Sequence, residues 1–138
     1  MKFAFFLLIA SLCAPPANAD ESTNQAIGIW LRDNNAARIR LAPCGVALCG
    51  TVVWMQDPRK DIYNPDEKER GKDLVGRRIF SGMMQDDAHR NTWKGSSYNP
   101  EDGRTYATTM VLNDAQLVTQ ECVTAGVICR STNWVKVN

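Results

Sequence analysis

Side chains able to do chemistry are few in this 138-residue chain, and they are scattered. Acyl transfer needs a nucleophile beside a positioned base, most often histidine. The sole histidine is His89, in Asp86-Asp87-Ala88-His89-Arg90, which reads as a polar turn between strands rather than a catalytic or metal-binding segment. Glycoside hydrolysis needs two carboxylates flanking a bond. Asp57, Asp61, Asp66, Glu67 and Glu69 are near one another in sequence, but their stretch is so charged that solubility accounts for them. A hydrolase using these loop carboxylates is the enzymatic alternative. No phosphate-cradling glycine loop, dinucleotide fingerprint or zinc-hydrolase helix occurs in the sequence. The sequence therefore predicts no catalytic residue, no metal site and no cofactor.

Four cysteines form two close pairs, Cys44 with Cys49 and Cys122 with Cys129. Three connectivities are open to them. Sequential pairing is predicted because each pair flanks a short turn, Pro43-Cys44-Gly45-Val46-Ala47-Leu48-Cys49 in one case and Cys122 to Cys129 in the other. Cross-strand neighbours in a hairpin lie within disulfide reach. Each bond would add about 2 kcal/mol by constraining the unfolded chain. A four-thiolate zinc site is the alternative, although the spacings lack the tight two-residue knuckle.

The compartment is read from the first residues. Lys2 supplies a positive charge, an apolar run follows from Phe3 to Leu12, and Pro15-Pro16-Ala17-Asn18-Ala19 ends in a small-x-small pattern. These are the parts of a signal peptide cleaved near Ala19. The run is about half the roughly 20 residues of a spanning helix, and no later segment is both long and uncharged enough, so no membrane span is predicted. Cys13 follows Leu12 rather than a small residue, which argues against lipidation there. One domain, 20–138, is expected in the periplasm or outside the cell, where disulfides persist. The whole chain carries 16 Lys plus Arg against 15 Asp plus Glu, and loss of Lys2 makes the remainder neutral. That balance argues against nucleic acid or an anionic membrane surface as partner.

The elements that must position these side chains are strands. Period-two alternation dominates, for example in Thr105-Tyr106-Ala107-Thr108-Thr109-Met110-Val111-Leu112. Eight strands are predicted, at 27–31, 37–42, 49–55, 75–84, 91–98, 104–112, 115–123 and 127–136. Residues 56–74 form a long charged surface loop with one helical turn near Pro65-Asp66-Glu67. Tyr98-Asn99-Pro100-Glu101-Asp102-Gly103 predicts a tight hairpin, with Pro supplying fixed φ and Gly a positive one. Tyr63-Asn64-Pro65-Asp66 repeats its opening, read as a second Asx-Pro turn. An all-β, antiparallel, up-and-down barrel of about eight strands closes such a meander without exposed edges.

Several of these stretches, in this order, resemble the secreted bacterial family known as domain of unknown function 2147. They are Gly28-Ile29-Trp30, Leu48-Cys49-Gly50-Thr51-Val52-Val53-Trp54, Asp61-Ile62-Tyr63-Asn64-Pro65, Tyr98 to Tyr106, and Cys129-Arg130-Ser131-Thr132-Asn133-Trp134. The resemblance spans nearly all of 20–138. It implies a lipocalin-like barrel and no established activity. It also implies that Trp30 and Arg130 form a structural pair closing one end, the guanidinium stacked on the indole.

A barrel of eight strands is wide enough to be filled by side chains or to hold one small ligand. Trp54, Trp93, Tyr106 and Met110 are the candidate wall for a small apolar or amphipathic molecule; the alternative is that they simply fill the core. The function expected is non-enzymatic binding. Against it stands an envelope protein-interaction module, such as an inhibitor or accessory factor, using the 56–74 loop. A hollow barrel would favour the first, and a filled barrel with a displayed loop the second.

Overall fold

The computed structural model describes residues 21–123 and 127–138. The expected signal peptide at 1–19, with Lys2, Cys13 and the cleavage position, lies outside the described residues. A short helix, α1 (Glu21–Ala26), leads into β1 (Gly28–Arg32), β2 (Ala37–Cys44), β3 (Ala47–Met55), β4 (Arg78–Gln85), β5 (Thr92–Asn99), β6 (Arg104–Asn113), β7 (Gln116–Val123) and β8 (Ile128–Lys136). Each strand pairs antiparallel with its sequence neighbours, and β1 pairs with β8 to close the barrel. The predicted architecture is the one the chain forms, with strand limits displaced by a few residues.

Alternation decides which side chains go inside. On β6, Thr108, Met110 and Leu112 are buried while Arg104, Thr105 and Asn113 are exposed. Their inward neighbours on β7 are Thr119 opposite Met110 and Leu117 opposite Leu112. The turns segregate by end. The connections 45–46, 86–91 and 114–115 lie at one end, together with α1. The connections 33–36, 56–77 and 100–103 lie at the other.

The α1 end holds most of the buried apolar core. Trp30, Ile39, Leu41, Met83, Trp93 and Met110 belong to one buried apolar cluster there, and Ala26 of α1 is buried against it. Trp30 donates its Nε1–H to the carbonyl of Ala26 at 2.8 Å, so the indole ties the helix to the barrel floor. A buried indole N–H without such a partner would be costly.

The seam corrects one sequence expectation. The β1–β8 ladder sets Trp30 opposite Lys136, Leu31 opposite Val135 and Arg32 opposite Trp134. Lys136 Nζ therefore stands over the Trp30 ring, 5.7 Å from its centroid, and donates to the Gln25 carbonyl at 2.7 Å. Arg130 lies toward the other end of β8, opposite Glu121, and its Nη2 donates to that carboxylate at 3.2 Å. The cation on the Trp30 indole is Lys136, and the Trp30–Arg130 pair does not form.

Both disulfides join the predicted partners, Cys44 to Cys49 across the β2–β3 hairpin and Cys122 to Cys129 across β7 and β8. They consume the four thiolates that a zinc site would need. Among the described residues, no helix is long and apolar enough to cross a membrane.

The long connection between β3 and β4 is more ordered than a solvated loop. Its helical turn is a single 3-10 turn, Glu67–Glu69, capped by Asp66, whose side chain accepts from Lys68 N. Around it the chain folds back on itself, with Asp61 N donating to Lys72 O at 2.9 Å and Leu74 N to Arg59 O at 3.0 Å. Leu74 and Asp61 are both buried.

Candidate functional site

The end opposite α1 is hollow. A cavity of about 320 Å³ opens there, and side chains from most of the barrel strands and from the folded loop line it. Its apolar wall comprises Val52, Met55, Leu74, Ile79, Phe80 and Trp134. Phe80 and Trp134 meet edge to face, their centroids 6.1 Å apart and their planes at 79°. Phe80 reaches this position because it crosses Gly50 on β3, where an added Cβ would stand 2.7 Å from the phenyl ring. Any side chain at position 50 would displace the ring.

Small polar residues replace aliphatic ones on the inward faces near this end. Thr108 Oγ1 donates to Ser97 Oγ at 2.7 Å, and Ser97 Oγ donates to Glu121 Oε1 at 2.9 Å. The other oxygen of Glu121 takes the hydrogen bond from Arg130. Trp134 Nε1 donates to Thr119 Oγ1 at 3.0 Å. Such a fully partnered chain keeps the inner surface polar without leaving unpaired groups behind.

The loop that covers this end is anchored on Asp61. One carboxylate oxygen accepts the Tyr98 hydroxyl at 2.6 Å; the other accepts Asn64 Nδ2 at 2.9 Å and lies 2.7 Å from Arg77 Nε. The Arg77 contact is ionic rather than an aligned hydrogen bond. Arg77 also donates through Nη2 to Glu69 at 2.7 Å, which holds the Glu69 carboxyl below the usual range. Burial, then the hydrogen bond to Asp61 and its charge, push the Tyr98 phenol up to about 12. The two Tyr-Asn-Pro-acid stretches are both Asx turns, Asn64 accepting from Asp66 N and Asn99 from Glu101 N, each at 2.9 Å. Arg59, earlier in the same loop, pairs with Glu101 of the second turn at 2.9 Å.

The structure disperses the four aromatic and thioether residues proposed as a wall. Trp93 and Met110 are buried in the apolar cluster at the α1 end, and neither lines the cavity. Trp93 borders instead a separate hollow between α1 and the β2–β3 turn. Trp54 is outside the barrel, 40% exposed, with Arg38 stacked 4.9 Å above its ring. The reason is a bulge: Ile39 faces Val52 and Arg38 faces Trp54, so Val53 is an extra residue and the alternation reverses beyond it. Met55 then points to the cavity in its place. Tyr106 is at the rim, hydrogen-bonded to Asp102, in a shallow hollow that shares Asn99, Glu121 and Arg130 with the main cavity.

Residues 28–136 match a family described as an uncharacterized protein conserved in bacteria, DUF2147. The chain belongs to that family. The DUF2147 barrel is similar to a solved structure titled "Protein HP1028 from the human pathogen Helicobacter pylori belongs to the lipocalin family". The two share 18% identity with a TM-score of 0.72, over 82% of this chain and 83% of that one. The likeness establishes a lipocalin-like fold for this DUF2147 chain. No curated protein matches it.

The candidate catalytic groups are placed apart from the DUF2147 cavity. His89 is on the β4–β5 turn at the α1 end, 74% exposed and 3.8 Å from Asp86. Of the loop carboxylates, Asp61, Asp66, Glu67 and Glu69 are engaged in loop-internal contacts. Phe80, Trp134, Ser97 and Thr119 escaped the sequence reading. Their common signal is visible in retrospect: Ser97, Thr108, Thr119 and Thr132 are inward-parity polar residues on four adjacent strands.

Proposed function

We propose that this DUF2147 protein is a non-enzymatic binding protein of the cell envelope or exterior, holding one small, partly apolar molecule in the open half of its barrel. The observation that carries this reading is the cavity of about 320 Å³, at the lower end of the range usual for small-molecule sites, with an aromatic wall and hydrogen-bonded polar side chains from β5 and β7. The two disulfides fit an oxidising compartment. Native mass spectrometry of protein purified from its own envelope tests the reading directly. A co-purifying small molecule is expected, displaced with a change in tryptophan fluorescence because Trp134 is in the wall. A protein that carries nothing, and whose fluorescence ignores a panel of amphiphiles, would refute it.

A second reading has one observation in its favour. Ile62 and Tyr63 of the folded loop are more than half exposed, a surface suited to a protein partner. It predicts that Ile62→Ser with Tyr63→Ser abolishes partner capture from envelope extracts while leaving ligand-dependent fluorescence intact.

A further inference from the structure

We propose that the cavity recognises its ligand as an anion, a monocarboxylate of about ten non-hydrogen atoms whose carboxylate is received by Arg32. The inference rests on the binding reading above and specifies the chemistry of the same cavity. Five charged residues line it: Arg32, Arg59, Arg130, Glu101 and Glu121. Four of them neutralise one another. Arg59 pairs with Glu101 at 2.9 Å and Arg130 with Glu121 at 3.2 Å. Both oxygens of Glu121 are occupied, one by Ser97 and the other by Arg130, so Glu121 is not free to turn toward a third cation.

Arg32 is left over. It ends β1, opposite Trp134 in the ladder, and both side chains line the cavity. No carboxylate among the described residues pairs with it, and its Nε is buried without a hydrogen-bond partner. A partly buried guanidinium with no carboxylate beside it is a receptor for an anion at its two end nitrogens, since charge-assisted hydrogen bonds to a carboxylate are among the strongest a protein makes. Nearby Val52, Phe80 and Trp134 offer an apolar seat for the remainder of the ligand. The surplus is a single positive charge, which a monoanion balances and a phosphate dianion exceeds. At about 30 Å³ per atom, the share of one water in the liquid, the cavity admits about ten non-hydrogen atoms.

Octanoate, octanamide and octyl phosphate serve as probes of matched chain length, with binding followed by calorimetry at neutral pH. The wild-type protein is expected to bind octanoate at least about tenfold more tightly than octanamide, as one charge-assisted pair implies. Arg32→Gln should erase that preference, weakening octanoate far more than octanamide, and Arg32→Lys should keep part of it. Thermal unfolding of each variant separates loss of fold from loss of recognition. Equal affinity for octanoate and octanamide, a preference that survives Arg32→Gln in a folded protein, or tighter binding of octyl phosphate than of octanoate would overturn the assignment yet leave the binding reading standing. Failure of all three probes to bind would overturn both.

Discussion

Gly103, the last residue of the β5–β6 turn, packs its Cα directly against the backbone carbonyl of Tyr63 in the long loop. Its φ is +71°, and a Cβ built on it would overlap that oxygen and approach the ring of Pro65. The residue therefore meets two constraints at once. One is local, the left-handed conformation that ends the turn, and the other is tertiary, the seating of the loop on the hairpin. Gly103→Ala should destabilise the protein by about 1–3 kcal/mol through strain at this φ, with the overlap adding to it. Urea unfolding monitored by tryptophan fluorescence would show a lower midpoint; an unchanged midpoint would mean that loop and hairpin are not rigidly seated.

Asp61 holds the loop by accepting from Tyr98, and the phenol responds. Tyr98 should ionise only near pH 12, in contrast to the ordinary 10.0. The sign of the linkage follows. Below about pH 10 the phenol is neutral in both states and its contribution to stability is complete. Between 10 and 12 the unfolded chain loses the proton while the folded one keeps it, so stability falls with rising pH. Ultraviolet titration of the phenolate should show a step near pH 12 that is lost in Tyr98→Phe, beside the Tyr106 phenol, which its hydrogen bond to Asp102 also raises. If the late step persists in that variant, it belongs to another residue.

Removing the Asp61 charge tests the same anchor from the other side. Asp61→Asn leaves Arg77 with Glu69 as its one carboxylate partner and weakens the bonds from Tyr98 and Asn64, at a cost of about 1–3 kcal/mol. Proteolysis of the folded protein should then cut first within 56–77. Parent-like resistance would show that the remaining backbone bonds, such as Leu74 to Arg59, suffice.

Trp30→Ala removes a buried indole and should cost about 3–5 kcal/mol. Arg130→Gln should cost far less, because its ion pair with Glu121 is largely exposed on the arginine side. Thermal melts of the two variants distinguish this arrangement from one in which Arg130 supports Trp30, since comparable losses would be seen in the latter case.

Reduction of the disulfides should lower stability by about 2 kcal/mol for each short loop opened. Non-reducing peptide mapping is expected to recover Cys44 joined to Cys49 and Cys122 joined to Cys129. A peptide linking one pair to the other would contradict the structure.

The barrel was legible in the sequence because one face of each strand is buried, and period-two patterns such as Thr108, Met110 and Leu112 record that burial directly. The site was less so, for reasons that lie in register. A single bulged residue, Val53, moves Trp54 to the outside without altering the composition of its strand. The β1–β8 register gives Trp30 to Lys136 rather than to Arg130, and neither strand's sequence specifies that offset. Which half of the interior is hollow depends on how the 56–77 loop folds over the mouth and on where Gly50 admits Phe80, both tertiary outcomes.

Every ladder but one joins strands adjacent in sequence, and the exception, β1 with β8, has a register of only three residue pairs. The chain can thus assemble as a row of hairpins, each formed within microseconds, whereas closure must bring together residues roughly a hundred positions apart. That step gains a short ladder, extended at its ends by backbone bonds of Ile29 to Val137 and Asn138 and of Asp33 to Asn133, for the chain entropy it consumes. It should form late, and mutations at Leu31 or Val135 should quicken unfolding more than they slow folding. An unclosed barrel would expose free strand edges along β1 and β8, so the same seam is where slow folding would first turn into self-association.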